Sequence, residues 1–195
     1  MKNDRIKQTK PPEIRRLFNY KQKKEEFMKT ALCQLEIEFE NREANIVKAE
    51  KYITEASESG ADIVFFPEMT LTGFSMNVNK TGEDNNDTAE LMSSFASKHN
   101  IAVGFGWVKN AGDKGENHYS VVSPEGKMLA DYIKIHPFSY SKEDRYYNAG
   151  ESLVSFEYCG KPRPAFVRWL ARVYLSFGVF LSTLKLILGS IILLL

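Results

Sequence analysis

The run ADIVFF at residues 61–66, closed by Pro67, constrains this chain more than any other stretch. A short apolar run without polar alternation belongs to a strand covered on both faces of a sheet. Pro67 ends it, because proline brings no N–H to the next rung of a ladder. The flanking segments provide the layers such a strand needs. Upstream, NREANIVKAEKYITEASESG places Ile46, Ala49, Ile53 and Ala56 three and four residues apart, with Asn41 as N-cap and Gly60 just past the end. Before it, KTALCQLEI at 29–37 reads as the first strand. Downstream, Asp87 with Glu90 three residues on reads as a capping-box variant. It opens a helix with a core face of Leu91, Met92, Phe95 and Ala96, ending near Asn100. The run IAVGFGWV then returns as a strand, and HYSVVSPEGKMLADYIK reads as two strands joined by a Pro-Glu-Gly turn that ends in Lys134. This order predicts an α/β domain over residues 28–160.

Composition narrows the function. With 26 Lys+Arg against 25 Asp+Glu, the net charge of +1 provides no field for steering toward nucleic acid. The charge is unevenly placed, since no acid follows Glu157: the part up to that residue carries −4 and the tail +5. Residues 1–27 form a basic arm broken by Pro11-Pro12, with too few large apolar groups to bury a face, and Met28 is an alternative start. Two cysteines, Cys33 and Cys159, cannot build a disulfide framework, and a cytoplasmic, reducing setting is the expectation. No cofactor or metal site is expected. Gly104 and Gly106 form a lone G-x-G whose third glycine would fall at Lys109, so they read as tight strand packing. His99, His118 and His136 lack metal-ligand spacing.

Glu68 and Lys134 each sit at the carboxyl end of an expected strand, where side chains from separate loops converge in α/β sheets. A carboxylate and an ammonium there can act as proton acceptor and oxyanion stabiliser, although either residue alone is more often a surface residue or half of an ion pair.

The surrounding runs, GADIVFFPEMTLTGF at 60–74 and YIKIHPFSYSKEDRYYNAGE at 132–151, resemble the Glu and Lys motifs of the nitrilase or carbon-nitrogen hydrolase superfamily. Gln34 and Asn45 in the opening segment, and the NHYSVVSPEGKMLADYIK hairpin, add to the resemblance. FPEMTLTGFSM, with a Glu nine residues after the Lys, is most similar to the ω-amidase branch, which hydrolyses dicarboxylate monoamides. The resemblance implies an α-β-β-α sandwich, here incomplete, and a homo-oligomer in the intact family. It implies a small amide as substrate, Glu68 as general base, Lys134 as stabiliser of the oxyanion, and Glu143 as a second carboxylate placing substrate and lysine. It also implies a nucleophilic cysteine one strand after Gly160, where the chain instead reads GKPRPAFVRWLARVYLSFGVF. Cys159 precedes that strand and reads as a structural thiol, so the chain as written is expected to be inactive.

The tail, 161–195, has three readings. Between Val173 and Leu195 the only charge is Lys185, which by hydropathy describes a membrane span flanked by Arg168 and Arg172 on the cytoplasmic side. That makes the chain a non-catalytic nitrilase-fold binding module tethered to a membrane as the alternative function. A shift of reading frame after about Lys161 instead explains together the loss of acids, motif and cysteine; a truncation or splice is a third possibility.

Overall fold

Side-chain alternation along three central strands sorts the core into two faces of one sheet. The computed structural model describes residues 28–158, 161–164 and 190–194. The basic arm, Cys159 and most of the apolar tail, with the frame-shift and membrane-span readings placed on it, lie outside the described residues. The strands are β1 (Lys29–Cys33), β2 (Ile63–Phe65), β3 (Ala102–Ala111), β4 (Lys114–Val122), β5 (Met128–Ile133), β6 (Tyr147–Asn148), β7 (Ser155–Tyr158), β8 (Lys161–Pro164) and β9 (Ser190–Leu194). The helices are α1 (Arg42–Glu58), the single turn α2 (Val78–Thr81) and α3 (Asp87–His99).

The main sheet has the order β5-β4-β3-β2-β1-β9, with β6 alongside β4, and β7 pairs with β8 in a separate hairpin. The pairs β1–β2, β2–β3 and β1–β9 are parallel, while β3–β4 and β4–β5 are antiparallel. The short segment Ser190–Leu194 of the tail is thus an edge strand beside β1. Among the described residues no helix is long and apolar enough to cross a membrane.

Ala31, Cys33, Val64, Val103, Phe105 and Trp107 face the helices, where Ala49, Ile53 and Ala56 of α1 and Met92, Phe95 and Ala96 of α3 cover them. The opposite face carries Ile63, Ala102, Tyr119, Val121, Ala130 and Tyr132, with Phe156 of β7 against it. Both faces of the central strands are therefore apolar, as the ADIVFF run requires. The Pro-Glu-Gly turn forms as expected, with Gly126 at φ 75° supplying the left-handed turn residue.

Two local expectations are corrected. The first strand stops at Cys33 rather than running to residue 37. Residues beyond it leave the sheet to meet α1, where buried Asn45 accepts a hydrogen bond from Glu38 N at 2.8 Å and donates to Glu38 O at 2.7 Å and Leu71 O at 2.9 Å. The start of α3 is not a capping box with Glu90. Its N-cap Asn86 makes no side-chain cap bond, and Glu83 accepts from Thr88 N at 2.8 Å instead. Glu83 is delivered there by β3, since Glu83 N donates to Val108 O at 3.0 Å and Asn110 N to Glu83 O at 2.9 Å. Its carboxylate also pairs with Arg42, at the start of α1, at 2.6 Å. The first turns of both helices thus share one residue.

Candidate active site

The parallel ladder between β2 and β3 is interrupted where Pro67 withholds a donor. Phe66 N still donates to Gly104 O at 2.8 Å, and pairing resumes with Thr70 N on Gly106 O at 2.9 Å. Residues 67–69 arch out between these rungs and carry Glu68 with them, with Met69 in the left-handed region at φ 48°. The Thr70 hydroxyl pins the arch, donating to Pro67 O at 2.7 Å and accepting from Gly106 N at 3.0 Å. A Cβ at Gly106 would lie 2.5 Å from Met69 N and 2.8 Å from Glu68 Cα, so only glycine admits this approach. Gly104 likewise leaves room for the Phe65 ring. The G-x-G pair packs strand against loop, as the sequence predicts.

Across the sheet, Lys134 follows β5, and its N donates to Asn117 O of β4 at 2.9 Å. This cross-strand neighbourhood brings Asn117 and Lys134 together. Lys134 Nζ lies 2.7 Å from Glu68 Oε1 and 2.8 Å from Glu143 Oε2, with side chains 12%, 16% and 0% exposed in that order. The structure thus assembles all three sequence-designated residues. Asn117, which the sequence reading did not single out, joins them: its Nδ2 donates to Glu68 Oε1 at 2.5 Å and to Glu143 Oε1 at 2.9 Å. Its only sequence signal was its place in the hairpin leading into Lys134.

The two carboxylates are used differently. Both oxygens of Glu143 are engaged, Oε1 by Asn117 and Lys134, Oε2 by Lys134 and by Phe138 N at 2.5 Å. Glu68 has Oε1 engaged, while Oε2 has no hydrogen-bond partner among the described residues. Burial alone would lower the proton affinity of Lys134, but the charges and hydrogen bonds of Glu68 and Glu143 outweigh it and hold its pKa above the ordinary lysine value. The Tyr147 phenol is pushed up to about 12, by burial and then by the charges of Glu143 and Glu68, so it is no acid at neutral pH. The face of Phe74 lies 5.2 Å from Lys134 Nζ, and the exposed rings of Phe138 and Tyr140 stand beside one another on the neighbouring loop.

The other sequence candidates lie elsewhere. Cys33 is buried on the helix side of β1, where burial and then the charge of Glu55 push its thiol up to about 12, which suits packing and not nucleophilic attack. His118 lies on the helix side of β4, its Nδ1 3.0 Å from Asp131 and its Nε2 3.2 Å from Glu116. It is a cross-strand hydrogen-bond partner of Asp131, removed from Lys134 by the strand's alternation.

A model of the carbon-nitrogen hydrolase family matches residues 29–176, about three quarters of the chain, running into the apolar tail. The chain belongs to the carbon-nitrogen hydrolase family. Among its relatives are a 2-oxoglutaramate amidase of Bacillus subtilis, 29% identical over 65% of this chain and 50% of its own length, and an omega-amidase of Yersinia enterocolitica, 27% identical over 51% and 38%. A nitrilase of Pyrococcus abyssi is 29% identical over 59% of this chain and 46% of its own. This family member thus spans about half the length, or less, of the curated relatives it matches. Its fold is similar to that of an amidase from Nesterenkonia sp. AN1, with TM-score 0.63, 18% identity, and coverage of 68% of this chain and 54% of that one. One structure of that amidase carries acrylamide added to its active-site cysteine. A carbon-nitrogen hydrolase superfamily protein of Xanthomonas campestris aligns with TM-score 0.62 at 20% identity. The architecture is accordingly part of the nitrilase-type sandwich: one sheet, helices on one face, and an apolar face opposite.

Proposed function

We propose that the chain carries the base and electrostatic half of an ω-amidase-like site for small primary amides, and that as written it has no amidase turnover. The observation that carries this reading is the asymmetry of the carboxylates: Glu143 is saturated by donors, whereas Glu68 is held at one oxygen beside Lys134 and has the other without a partner among the described residues. A general base must be fixed and yet able to receive a proton. Glu68 meets both needs. Glu143 holds Lys134 and the Phe138 loop in place.

In the reaction this implies, a cysteine thiol gives its proton to Glu68 as sulfur attacks the amide carbonyl carbon. The ammonium of Lys134 compensates the negative charge that develops on oxygen. The proton returns from Glu68 to the leaving nitrogen, the C–N bond breaks, and ammonia departs from a thioester. Glu68 then takes a proton from water, which releases the acid and restores the thiol. These steps ask for no metal or organic cofactor. Relatives named for ω-amidase activity support a dicarboxylate monoamide as substrate.

The cysteine is missing after Cys159 because, in this reading, residues beyond about Lys161 are translated out of frame. The test is to resequence the coding DNA from the codon of Glu157, translate all three frames, and assay the original and any restored chain for ammonia release from a dicarboxylate monoamide. The original chain is expected to release none. A restored chain with a cysteine soon after residue 160 is expected to release ammonia, and Glu68→Ala to abolish it. Turnover by the original chain that depends on Glu68, or the absence of such a cysteine in every frame, overturns the proposal.

A further inference from the structure

We infer that Asn117 is a positioning residue that sets the spacing of Glu68 and Glu143 around a single ammonium. The inference rests on the reading of Glu68 and Lys134 as the reacting pair. Three formal charges meet in a confined space: both carboxylates lie within 3.0 Å of one nitrogen, Lys134 Nζ, which offsets only one of them. Like charges so close repel, and a shared cation alone leaves them free to slide around it. Asn117 is the neutral group that touches both, and its two N–H bonds go one to each.

The orientation of its amide is forced. Reversed, Asn117 would turn Oδ1 toward two carboxylate oxygens with no proton between them. The backbone is equally fixed, because Asn117 O accepts from Lys134 N at 2.9 Å, which locks the registers of lysine and amide to one another. At 3% exposure the residue has no room to turn elsewhere. Asn117 therefore ties the arch that carries Glu68 to the loop that carries Glu143, through a strand that belongs to neither. A third carboxylate at this position would keep the shape and reverse the interaction.

The test relocates charge. Asn117→Asp in the full chain preserves side-chain shape and is expected to lower Tm by roughly 5–10 °C near neutral pH. Adding Glu68→Gln restores the original number of carboxylates and supplies an amide donor from the other side, and the double variant is expected to recover most of that loss. If Asn117 merely filled space, the isosteric aspartate would be tolerated; if the cost were only that of burying a charge, Glu68→Gln would not relieve it. Either result overturns the inference, as does a double variant that fails to fold. The readout is stability and not turnover, so failure of the amidase reading in the ammonia assay remains a separate result.

Discussion

Replacing Gly106 by alanine perturbs the position of Glu68 without touching its side chain. The new methyl would meet Met69 N at 2.5 Å and Glu68 Cα at 2.8 Å, both backbone atoms of the arch. Nonbonded carbon contacts settle near 3.5–4.0 Å, so the arch has to retreat by about 1 Å. A retreat of that size stretches the 2.7 Å contact between Glu68 and Lys134 beyond hydrogen-bonding range. Overpacking of this kind costs about 1–3 kcal/mol, and losing a charge-assisted hydrogen bond about 1.5–3 kcal/mol more. A total near 4 kcal/mol corresponds to a Tm lowered by about 8–16 °C in a protein of this size. Gly104→Ala is the matched control, because its methyl would meet the Phe65 ring and, at 3.3 Å, the Tyr119 hydroxyl, both side-chain contacts outside the arch. Its expected cost is about 1–2 kcal/mol. Thermal unfolding of the three chains side by side decides the matter. Equal losses in the two variants, or a Gly106→Ala chain as stable as the parent, would refute the claim that β3 sets the height of the Glu68 arch.

Further outcomes follow from the same contacts. Lys134→Met removes the cation that Glu68 and Glu143 share and should cost about 3–5 kcal/mol in denaturant titrations near neutral pH. Because the pKa of Lys134 is raised on folding, its stabilisation is complete below the unfolded value of about 10.4 and fades as pH climbs through the folded one; unfolding curves across that range should lose this alkaline limb in the variant. Asn45→Ala orphans Glu38 N and Leu71 O and leaves Glu38 O with Asn41 N alone, and chemical denaturation should show a loss of about 2–4 kcal/mol. Cys33 should resist a thiol reagent in the folded protein and become labelled, as read by peptide mass spectrometry, only under denaturing conditions.

The alternation of elements could be read directly, because each hydrophobic face is written along one continuous segment. Ala49, Ile53 and Ala56 of α1, and Met92, Phe95 and Ala96 of α3, lie buried as their spacing requires. Glu68 and Lys134 were visible as polar residues at the ends of apolar strands, and Glu143 only through its family motif. Asn117 was not visible, since a lone asparagine inside a strand looks the same whether it faces solvent or two carboxylates. Which it meets depends on the register of β4 against β5, a relation between distant segments. The same holds for His118 with Asp131, paired across that ladder. The start of α3 misled for the opposite reason. Glu90 stands at the capping-box spacing from Asp87, but the helix begins one residue earlier, with Glu90 N on Asn86 O at 2.9 Å, and the open N–H of Thr88 goes to Glu83, already held by β3.

That arrangement at Glu83 bears on how the domain breathes. A helix end capped by its own residues can fray alone, opening and closing within its first turn. Here the start of α1, whose own N-cap Asn41 accepts from Ala44 N at 3.3 Å, is also tied through the Arg42 side chain to the carboxylate of Glu83, which caps α3 and which the backbone of β3 holds in place. Opening at the start of α3 therefore frees the partner of Arg42 and loosens the strand that holds Glu83. Amide exchange at the first turn of α3 and at Asn110 should then share a single opening free energy and move together when Glu83 is changed, while the first turn of α1 keeps its Asn41 cap. What looks like one peripheral cap joins the helical layer to the sheet.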